Sequence, residues 1–303
     1  MKHKVLITGV AGFIGSKIAY RFIEEGYQVV GVDDLSGGKI DNIPREVDFI
    51  QGDLAAKKTF DNIPGDCSRV LHLAGQSSGE ISFDDPVLDL QKNAISTLNL
   101  IDYGIKNSIN SILYASSMSV YGSVDDKPVK EIDNTQPLSC YGVGKLAGEG
   151  YLKIYQKQLP FVSLRMFNVY GPGQDMDNLR QGMVSIYLAQ ALKNHKIDVK
   201  GSANRFRDFI FIDDVVEAWF RLSNEPKAYG QTLNLATGRR TTVYDLLEKI
   251  CQSVPGCEYF IKGSTPGDQN GIYANISELN KYIDTGKFLS LDNGLEKFVK
   301  WEK

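Results

Sequence analysis

The sequence predicts an α/β protein whose parallel sheet is covered by helices on both faces. Apolar, β-branched runs recur along the first half of the chain, at 4–9, 28–33, 48–53, 69–75, 111–117 and 161–167. Segments with apolar residues at helical spacing lie between several of these runs, at 13–25, 87–106 and 141–157. Strands that alternate with helices in this way pair in parallel and are buried on both faces.

The pattern changes after GPGQ at residues 171–174, where helices mix with shorter strands. The later helices are predicted at 179–193, 213–223 and 242–253, and the short strands near 209–212 and 231–236. We therefore expect a first domain over residues 1–170 and a smaller α/β lobe over 171–303, with some segments returning to the first domain. Two lobes with a cleft between them are the expected architecture.

Composition and charge exclude several classes of function. The 303 residues are 42% hydrophobic and 23% charged, with a net charge of −3 and no basic block. This argues against nucleic acid or an anionic membrane as a partner, and no apolar stretch approaches the ~18 residues of a spanning helix. The four cysteines show no metal-ligand spacing, so we expect no metal site and reduced thiols in a cytoplasmic protein.

The first predicted strand leads into TGVAGFIG at residues 8–15, with glycines at positions 9, 12 and 15, and a predicted helix follows as far as Gly26. Glycine permits positive φ, lets the backbone approach a ligand closely and lets a helix pack tightly on a strand. The helix N-terminus offers free N–H groups and a positive dipole end to an anion. The spacing is compatible with a pyrophosphate site and also with a tight corner alone.

Acidic and small residues follow the next predicted strands. The carboxylate of Asp33 can accept hydrogen bonds from an adenosine ribose and would repel a 2′-phosphate, which favours NAD over NADP; a turn or cap role is the alternative. Asp53, in GDL, can bind an adenine amino group or cap a helix. Ala74 and Gly75, in HLAG, offer backbone to a pyrophosphate or a close strand–helix contact.

The segment YGVGK at residues 141–145 places Tyr141 and Lys145 one helical turn apart on the same face. A phenol with a pKa near ~10 is a poor base at neutral pH, and a neighbouring ammonium lowers that pKa. The pair is therefore a sensible acid–base device, although an interface tyrosine beside a solvated lysine has the same spacing. Ser117, in SSMSVYG at the end of the preceding strand, could bind a substrate oxygen and favours the catalytic interpretation.

These motifs together resemble those of the extended short-chain dehydrogenase/reductases, and more narrowly the nucleotide-sugar epimerase/dehydratase branch. They are TGVAGFIG, Asp33, GDL, HLAG, SSMSVYG, YGVGK, RMFNVYGPG and RDFIFIDD. The resemblance extends from residue 4 to about residue 236, and more faintly to the C-terminus. It implies a Rossmann domain that carries NAD and a smaller lobe that carries a sugar nucleotide.

The resemblance also implies residue roles. It implies cofactor contacts for Gly9, Gly12, Phe13, Ile14, Gly15, Asp33, Asp53, Leu54, Leu73, Ala74, Gly75, Asn93, Tyr141, Lys145 and Phe167. The implied catalytic residues are Ser117, Tyr141 as the base, and Lys145, which would also hold the nicotinamide ribose. The implied substrate contacts are Ser77, Ser117, Asn168, Arg207 and Asp268. For Arg207 an ion pair with Asp208 or Asp213 is the alternative, and a phosphate suits its fork-shaped guanidinium better.

The resemblance further indicates the reaction. Family dehydratases typically carry an acidic residue where this chain has Ser119, so the acid for a departing 6-hydroxyl is missing. We therefore expect an NDP-hexose 4-epimerase of the UDP-glucose/UDP-galactose type that acts through a transient 4-keto sugar. A nucleotide-sugar 4-ketoreductase, dehydrogenase or dehydratase is the alternative. A non-catalytic NAD-sensing module ranks lower, because both Tyr141 and Lys145 are present.

Some positions depart from the family pattern. Gly144 stands where Ser or Thr is frequent, and Cys140 where Pro is common. Thr265, in TPGD, replaces a phosphate-binding Arg, for which Lys262 is a candidate substitute. The expected partner is a second copy of the chain, because family dimers pair the helices corresponding to 87–106 and 141–157 in a four-helix bundle. The apolar residues compatible with this interface, or with the core, are Leu90, Leu98, Ile101 and Ile105.

Overall fold

The computed structural model describes residues 3–178, 180, 182–262 and 270–302. They form two compact units, each assembled from separate stretches of the chain. The first unit contains the described residues up to Gly122 together with Thr135–Arg165 and Val216–Leu233. The second contains Ser123–Asn134, Met166–Val215 and the described residues from Asn234 onward. The predicted domain boundary at residue 170 stays a prediction.

Strands and helices alternate through the first half of the chain, as predicted. The strands are β1 Lys4–Thr8, β2 Gln28–Asp33, β3 Asp48–Gln51, β4 Arg69–His72, β5 Ser111–Ser117, β6 Phe161–Met166, β7 Asn168–Tyr170, β8 Lys196–Lys200, β9 Phe206–Arg207, β10 Phe209–Phe211, β11 Gln231–Leu235, β12 Thr241–Thr242 and β13 Glu258–Lys262. The helices are α1 Phe13–Glu24, α2 Pro86–Leu90, α3 Ser96–Lys106, α4 Cys140–Tyr155, α5 Met183–Asn194, α6 Ile212–Ser223, α7 Val243–Ser253 and α8 Leu291–Glu302.

The main sheet has seven strands in the order β11-β6-β5-β4-β1-β2-β3. The five strands from β3 to β5 pair in parallel, with Leu6 opposite Val30 on one side and opposite Val70 on the other. The strand order reverses between β1 and β4, and in such sheets a ligand binds at the carboxyl ends of the strands beside this switch point. The predicted α/β fold with a Rossmann-type parallel sheet is confirmed.

One face of this sheet forms a core with α3 and α4. Leu6, Val30, Val70 and Tyr114 from the strands are almost inaccessible to solvent, as is Leu152 of α4. These positions are apolar because the strands are buried on both faces and each helix turns one side toward the sheet. Apolar side chains are stabilised when they are removed from water in this way. The core fixes α4 on the sheet, and α4 carries two of the predicted catalytic residues.

The predicted continuous helix over 87–106 is wrong in one respect. It consists of α2, a π-helical turn over Gln91–Ile95, and α3. Within this stretch the hydroxyl of Ser96 donates to the carbonyl of Lys92 at 2.5 Å, and the hydroxyl of Thr97 donates to that of Asn93 at 2.6 Å. Side-chain donors that satisfy backbone carbonyls in this way support a wider turn, and such turns often occur at functional sites.

The second unit is built from short paired strands and helices. β7 pairs in parallel with β10, β8 pairs in parallel with β13, and β9 pairs antiparallel with β12. Helix α7 packs against both α5 and α8. Within the described ranges, no helix is both long enough and apolar enough to cross a bilayer. The same ranges contain no cluster of three His, Cys, Asp or Glu side chains suited to a metal ion.

Candidate active site

The predicted glycine turn lies between β1 and α1, at the switch point of the sheet. Gly9 has a φ of +71°, and a Cβ there would lie 2.7 Å from the backbone nitrogen of Ala74. A Cβ on Gly15 would lie 2.0 Å from the carbonyl oxygen of Gly9. No side chain in the described structure caps the start of α1, where Gly12 precedes Phe13 and Ile14. The turn therefore has the close backbone packing and the open helix N-terminus that a pyrophosphate requires.

Asp33 ends β2 and is buried beside this turn. Its carboxylate accepts hydrogen bonds from the backbone nitrogens of Ala11, at 3.0 Å, and Leu35, at 2.8 Å. Burial raises the pKa of Asp33, and these two hydrogen bonds oppose the increase. Asp33 therefore has the capping role that the sequence analysis gave as the alternative, and its hydrogen bond to Ala11 stabilises the glycine turn.

Sequence analysis missed the cation beside the other predicted adenosine contact. The ammonium of Lys92 lies 2.5 Å from the carboxylate of Asp34 and 2.9 Å from that of Asp53. Asp53 also accepts a hydrogen bond from the backbone nitrogen of Ala55, and Leu54 between them is buried. Asp53 therefore caps its own turn while Lys92 holds its second oxygen.

The segment after β4 is fixed by a second polar group that the sequence did not indicate. The hydroxyl of Thr8 accepts hydrogen bonds from the backbone nitrogens of Leu73 and Ala74, at 3.2 and 3.1 Å. It also bonds His72 Nδ1 at 2.8 Å, while His72 Nε2 lies 3.0 Å from the hydroxyl of Thr97. Burial lowers the pKa of His72 to about 3, so the ring is neutral at physiological pH and acts as a structural link.

The structure brings the three predicted catalytic residues together. Ser117 ends β5 and caps the short turn that follows it, and Tyr141 and Lys145 occupy the first turns of α4, which Ser139 caps. Tyr141 is 9% exposed and Lys145 is 4% exposed. The ammonium of Lys145 lies 5.7 Å from the centre of the Tyr141 ring. The hydroxyl of Ser117 donates to that of Ser119 at 3.2 Å, and Ser117 also hydrogen-bonds the phenol of Tyr141.

The electrostatic environment differs from the expected one. Burial raises the pKa of Tyr141 to about 12, the hydrogen bond with Ser117 lowers it and the charge of Asp89 raises it further. Burial lowers the pKa of Lys145 to about 8, and the charge of Asp89 opposes this decrease. The sequence leads us to expect a lowered pKa for Tyr141, whereas the pKa is raised in this structure because removing the phenol from water has the largest effect.

The side-chain oxygen of Asn93, in the π-helical turn, points toward the region between Gly75 and Lys145. A Cβ on Gly75 would lie 2.5 Å from Asn93 Oδ1 and 3.3 Å from Lys145 Nζ. Asn93 Oδ1 is buried and has no hydrogen-bond partner among the residues that the structure describes. Such an acceptor fits a ligand that donates a hydrogen bond beside Lys145. Ser77, two residues after Gly75, is exposed.

Beneath the catalytic helix lies a buried ion pair that sequence analysis missed. Arg165 of β6 binds Glu149 of α4 with both ends of its guanidinium, Nε at 2.9 Å and Nη2 at 2.7 Å. Ser116 donates a further hydrogen bond to Glu149 at 2.5 Å, and the Arg165 guanidinium lies over the ring of Tyr121 at 4.7 Å. This pair ties α4 to the sheet one helical turn beyond Lys145.

Two of the predicted substrate contacts, Asn168 and Arg207, lie in the second unit. The side-chain amide of Asn168 donates to the carbonyl of Asp208 at 3.0 Å, and Arg207 donates to the carbonyl of Phe206 at 2.8 Å. Phe167 is buried, and its backbone nitrogen bonds the carbonyl of Leu235. Asp268 and Thr265 lie outside the described residues.

Asp208 and Lys262, both in the second unit, have partners of their own. The carboxylate of Asp208 accepts hydrogen bonds from Thr237, Gly238 and Ala274. Burial raises the pKa of Asp208 to about 6, and these bonds oppose the increase. Lys262, the candidate substitute for a phosphate arginine, lies 3.0 Å from Asp198.

The fold and these residues together define a dinucleotide-binding enzyme of the Rossmann class. The sequence profile described as "NAD dependent epimerase/dehydratase family" matches residues 5–236, and the chain belongs to this family. Its cofactor is NAD.

Known proteins resemble the chain over most of its length. It is 34% identical to the UDP-glucose 4-epimerase of Mycolicibacterium smegmatis, over 83% of this chain and 82% of that protein. The crystal structure of a UDP-glucose 4-epimerase with UDP-glucose from Thermotoga maritima is 31% identical, with a TM-score of 0.93 over 99% of this chain and 98% of that one. A UDP-glucose 4-epimerase from Thermus thermophilus, in complex with NAD, is 29% identical, with a TM-score of 0.87 over 98% of each chain.

Proposed function

We propose that the protein is an NAD-dependent nucleotide-sugar 4-epimerase of the UDP-glucose/UDP-galactose type, acting through a transient 4-keto sugar. The observation that carries this proposal is the meeting of Ser117, Tyr141 and Lys145 at the carboxyl end of β5, next to a turn with no acidic side chain at Met118 or Ser119. The similarity to 4-epimerases supports the same reaction.

The described residues fit NAD. Gly9 and Gly15 allow the tight backbone turn, because a Cβ on either would overlap neighbouring backbone atoms. The start of α1 is open to the pyrophosphate, and Asp33 and Asp53 suit the adenosine. The free oxygen of Asn93, beside Lys145, suits the hydroxyls of the nicotinamide ribose. When bound in its oxidised form, NAD supplies a positively charged ring and the two-electron oxidation and reduction at sugar C4.

The chain itself moves the proton. As a phenolate, Tyr141 accepts the proton of the sugar 4-hydroxyl and later returns it, while the hydroxyl of Ser117 hydrogen-bonds the same sugar oxygen. The ammonium of Lys145 stabilises this phenolate, which is the form of Tyr141 that acts as the base. Because the phenol is buried and its pKa is raised to about 12 in the free protein, the base depends on positive charge brought close to it.

The turn after Ser117 argues for epimerisation. A dehydratase needs a group that protonates the departing 6-hydroxyl and a base at C5. Ser119 instead offers a hydroxyl that accepts from Ser117, and Met118 offers a thioether. An epimerase needs only the base and its partners, because the same oxidation is reversed on the other face of the sugar.

The substrate's nucleotide is assigned to the second unit. We infer that Asn168 and Arg207 contact the diphosphate and Asp268 the nucleotide ribose, as the family resemblance implies. A guanidinium suits a phosphate because its donors form a planar fork. Ser77, exposed after β4, is assigned to the sugar.

We also propose that the protein forms a homodimer through α2, α3 and α4. Large apolar side chains are exposed along α2 and α4, and they are Val87, Leu88, Leu90, Val143 and Ile154. Phe83 and Leu138 continue this surface, which encloses a groove of about 490 Å³. An apolar surface of this kind is typical of a contact with another protein. Of the residues considered from sequence, Leu90 is exposed here, whereas Ile101 is buried in the core.

The reaction is tested by incubating the purified protein with UDP-, dTDP-, GDP- and CDP-hexoses and resolving the 4-epimers by NMR. We expect interconversion of UDP-glucose and UDP-galactose without consumption of added NAD. Tyr141→Phe should lower kcat by about 10²- to 10⁴-fold, because it removes the proton-transferring oxygen.

Tyr20→Phe, on the exposed side of α1, is the control and should leave kcat unchanged. Stoichiometric oxidation or reduction of the cofactor, with no epimer formed, would contradict the proposal and indicate a reductase or dehydrogenase. Full activity of Tyr141→Phe would contradict the assigned base.

A further inference from the structure

The carboxylate of Asp89 is buried at the end of α2, although α2 is largely exposed. Asp89 is 1% exposed, while its neighbours Leu88 and Leu90 lie on the surface. Its Oδ1 accepts a hydrogen bond from Nδ2 of Asn93 at 3.1 Å. Its Oδ2 is buried and has no hydrogen-bond partner within the described part of the chain. Because a buried carboxylate without a partner is costly, a positive charge nearby is needed to explain it.

Lys145 is the cation that lies close enough to compensate the charge of the buried Asp89 carboxylate. Asn93 Oδ1 and Lys145 Nζ both lie within 3.3 Å of one point, the Cβ position on Gly75. Asp89 binds the other end of the same Asn93 amide, so the three side chains form one buried group. Asp89 favours the charged form of Lys145, and Lys145 favours the charged form of Asp89.

The other titratable groups near Lys145 do not compete for this role. Tyr141, on α4, and Tyr114, on β5, are phenols whose rings lie 5.7 and 5.2 Å from the ammonium, and burial raises the pKa of both. His72, on β4, is neutral because burial lowers its pKa to about 3. Glu149, on α4, is bound by Arg165. Asp89 is therefore the carboxylate whose charge faces Lys145.

Because residue 144 is a glycine, no side chain at this position occupies the second oxygen of Asp89. A Cβ at this position would lie 3.5 Å from Oδ2 of Asp89 and 2.9 Å from Cβ of Asn93. A side chain there would press on the π-helical turn, and a hydroxyl would come within reach of Oδ2. The absence of a side chain at residue 144 thus leaves the second oxygen of Asp89 free of a neutral donor.

We propose that Asp89 is a positioning residue for Lys145: it supplies the buried negative charge opposite the ammonium and orients the Asn93 amide so that Oδ1 faces the ligand. The role of the ammonium in catalysis rests on the proposed function, whereas the coupling of the two charges does not. Asp89 acts through Lys145 and Asn93 and does not itself touch the substrate.

The first test is the titration of Lys145 in the protein without substrate. The ¹³Cε resonance of Lys145, assigned by its loss in Lys145→Arg, is followed against pH in wild type and in Asp89→Asn. Asparagine has the same shape and lacks the charge, so the pKa of Lys145 should fall from near 8 by about one pH unit. Asp85→Asn, an exposed carboxylate that caps the same helix, should leave it unchanged.

The second test is a stability cycle, which gives a result even if Asp89→Asn alone folds poorly. Lys145→Met leaves Asp89 buried without its cation, so adding Asp89→Asn to that variant should raise the unfolding midpoint. The two substitutions should be coupled by about tenfold in the unfolding equilibrium constant. An unmoved Lys145 titration, or independent effects in the cycle, would overturn the proposal.

The two proposals fail separately. If Lys145 responds to Asp89 but no hexose is epimerised, the proposed function is wrong and the charge coupling stands. If epimerisation occurs, its alkaline limit, set by loss of the Lys145 proton, should move to lower pH in Asp89→Asn, because the ammonium then deprotonates more easily. If the protein epimerises the hexose but the alkaline limit does not move in Asp89→Asn, the proposed role of Asp89 is wrong and the proposed function stands.

Discussion

At the scale of single residues, the site depends on charges buried with their partners. Glu149 and Arg165 form two short hydrogen bonds beneath α4, and both side chains are less than a tenth exposed. Removing one partner of such a pair leaves the other charge buried and uncompensated, which costs much more than the pair itself contributes.

Glu149→Gln should therefore lower the free energy of unfolding by about 3 kcal/mol, because Arg165 keeps its charge and loses its counter-charge. Denaturant titration followed by circular dichroism measures this change. The matched control is Asp102→Asn, which alters an exposed i,i+4 pair with Lys106 and should cost less than about 1 kcal/mol. Equal losses in the two variants would show that the buried pair has no special role.

At the scale of elements, α4 is positioned by the glycines of YGVGKLAGEGY. Glycine within a helix is unfavourable by roughly 0.5–1 kcal/mol relative to alanine, so its repeated use needs a packing reason. A Cβ on Gly148 would lie 2.3 Å from the phenolic oxygen of Tyr114, and one on Gly142 would lie 2.7 Å from the carbonyl of Ser119. Gly142 and Gly148 let α4 approach β5 and the turn after it.

Gly148→Ala should accordingly destabilise the protein by about 1–3 kcal/mol, since the new methyl group overlaps the buried Tyr114 side chain. It should also lower activity, because α4 carries Tyr141 and Lys145. Thermal unfolding and kcat are the measurements. Gly37→Ala is the control: a Cβ there meets nothing within 4 Å, so its unfolding temperature should stay close to that of wild type. A stable, active Gly148→Ala protein would contradict the packing argument.

At the scale of the whole molecule, the exposed apolar side chains of α2 and α4 call for a partner. Val143 is 53% exposed in the middle of this surface. Val143→Glu should convert the proposed dimer into a monomer, because it places a charge within an apolar contact. Sedimentation velocity over a range of concentrations measures the change.

Ile132→Glu, at a side chain 89% exposed in the second unit, is the control and should leave the dimer intact. A wild-type protein that sediments as a monomer at all concentrations would contradict the proposed homodimer.

Sequence reasoning located the strands of the first half of the chain, and the roles of the site residues stay predictions. The six strands at 4–9, 28–33, 48–53, 69–75, 111–117 and 161–167 were found within three residues of their observed ends. The polar residues Asp89, Asn93 and Thr97, four residues apart in a predicted helix, were a signal for the buried position of Asp89, which sequence analysis missed. His72, Glu149 and Arg165 gave no local signal, since their partners lie on other elements.

The alternation of strands and helices, the glycine turn and the Tyr141–Lys145 spacing could be predicted without a structure. These follow from local rules: periodicity, glycine's lack of a Cβ, and the pitch of a helix. Only the tertiary structure decided which charges face each other and how deeply they are buried. The charges of Asp89 and Lys145 act on each other, and Glu149 binds Arg165, because separate elements pack together. Desolvation, which raises the pKa of Tyr141 and lowers that of Lys145, exists only once those elements exclude water.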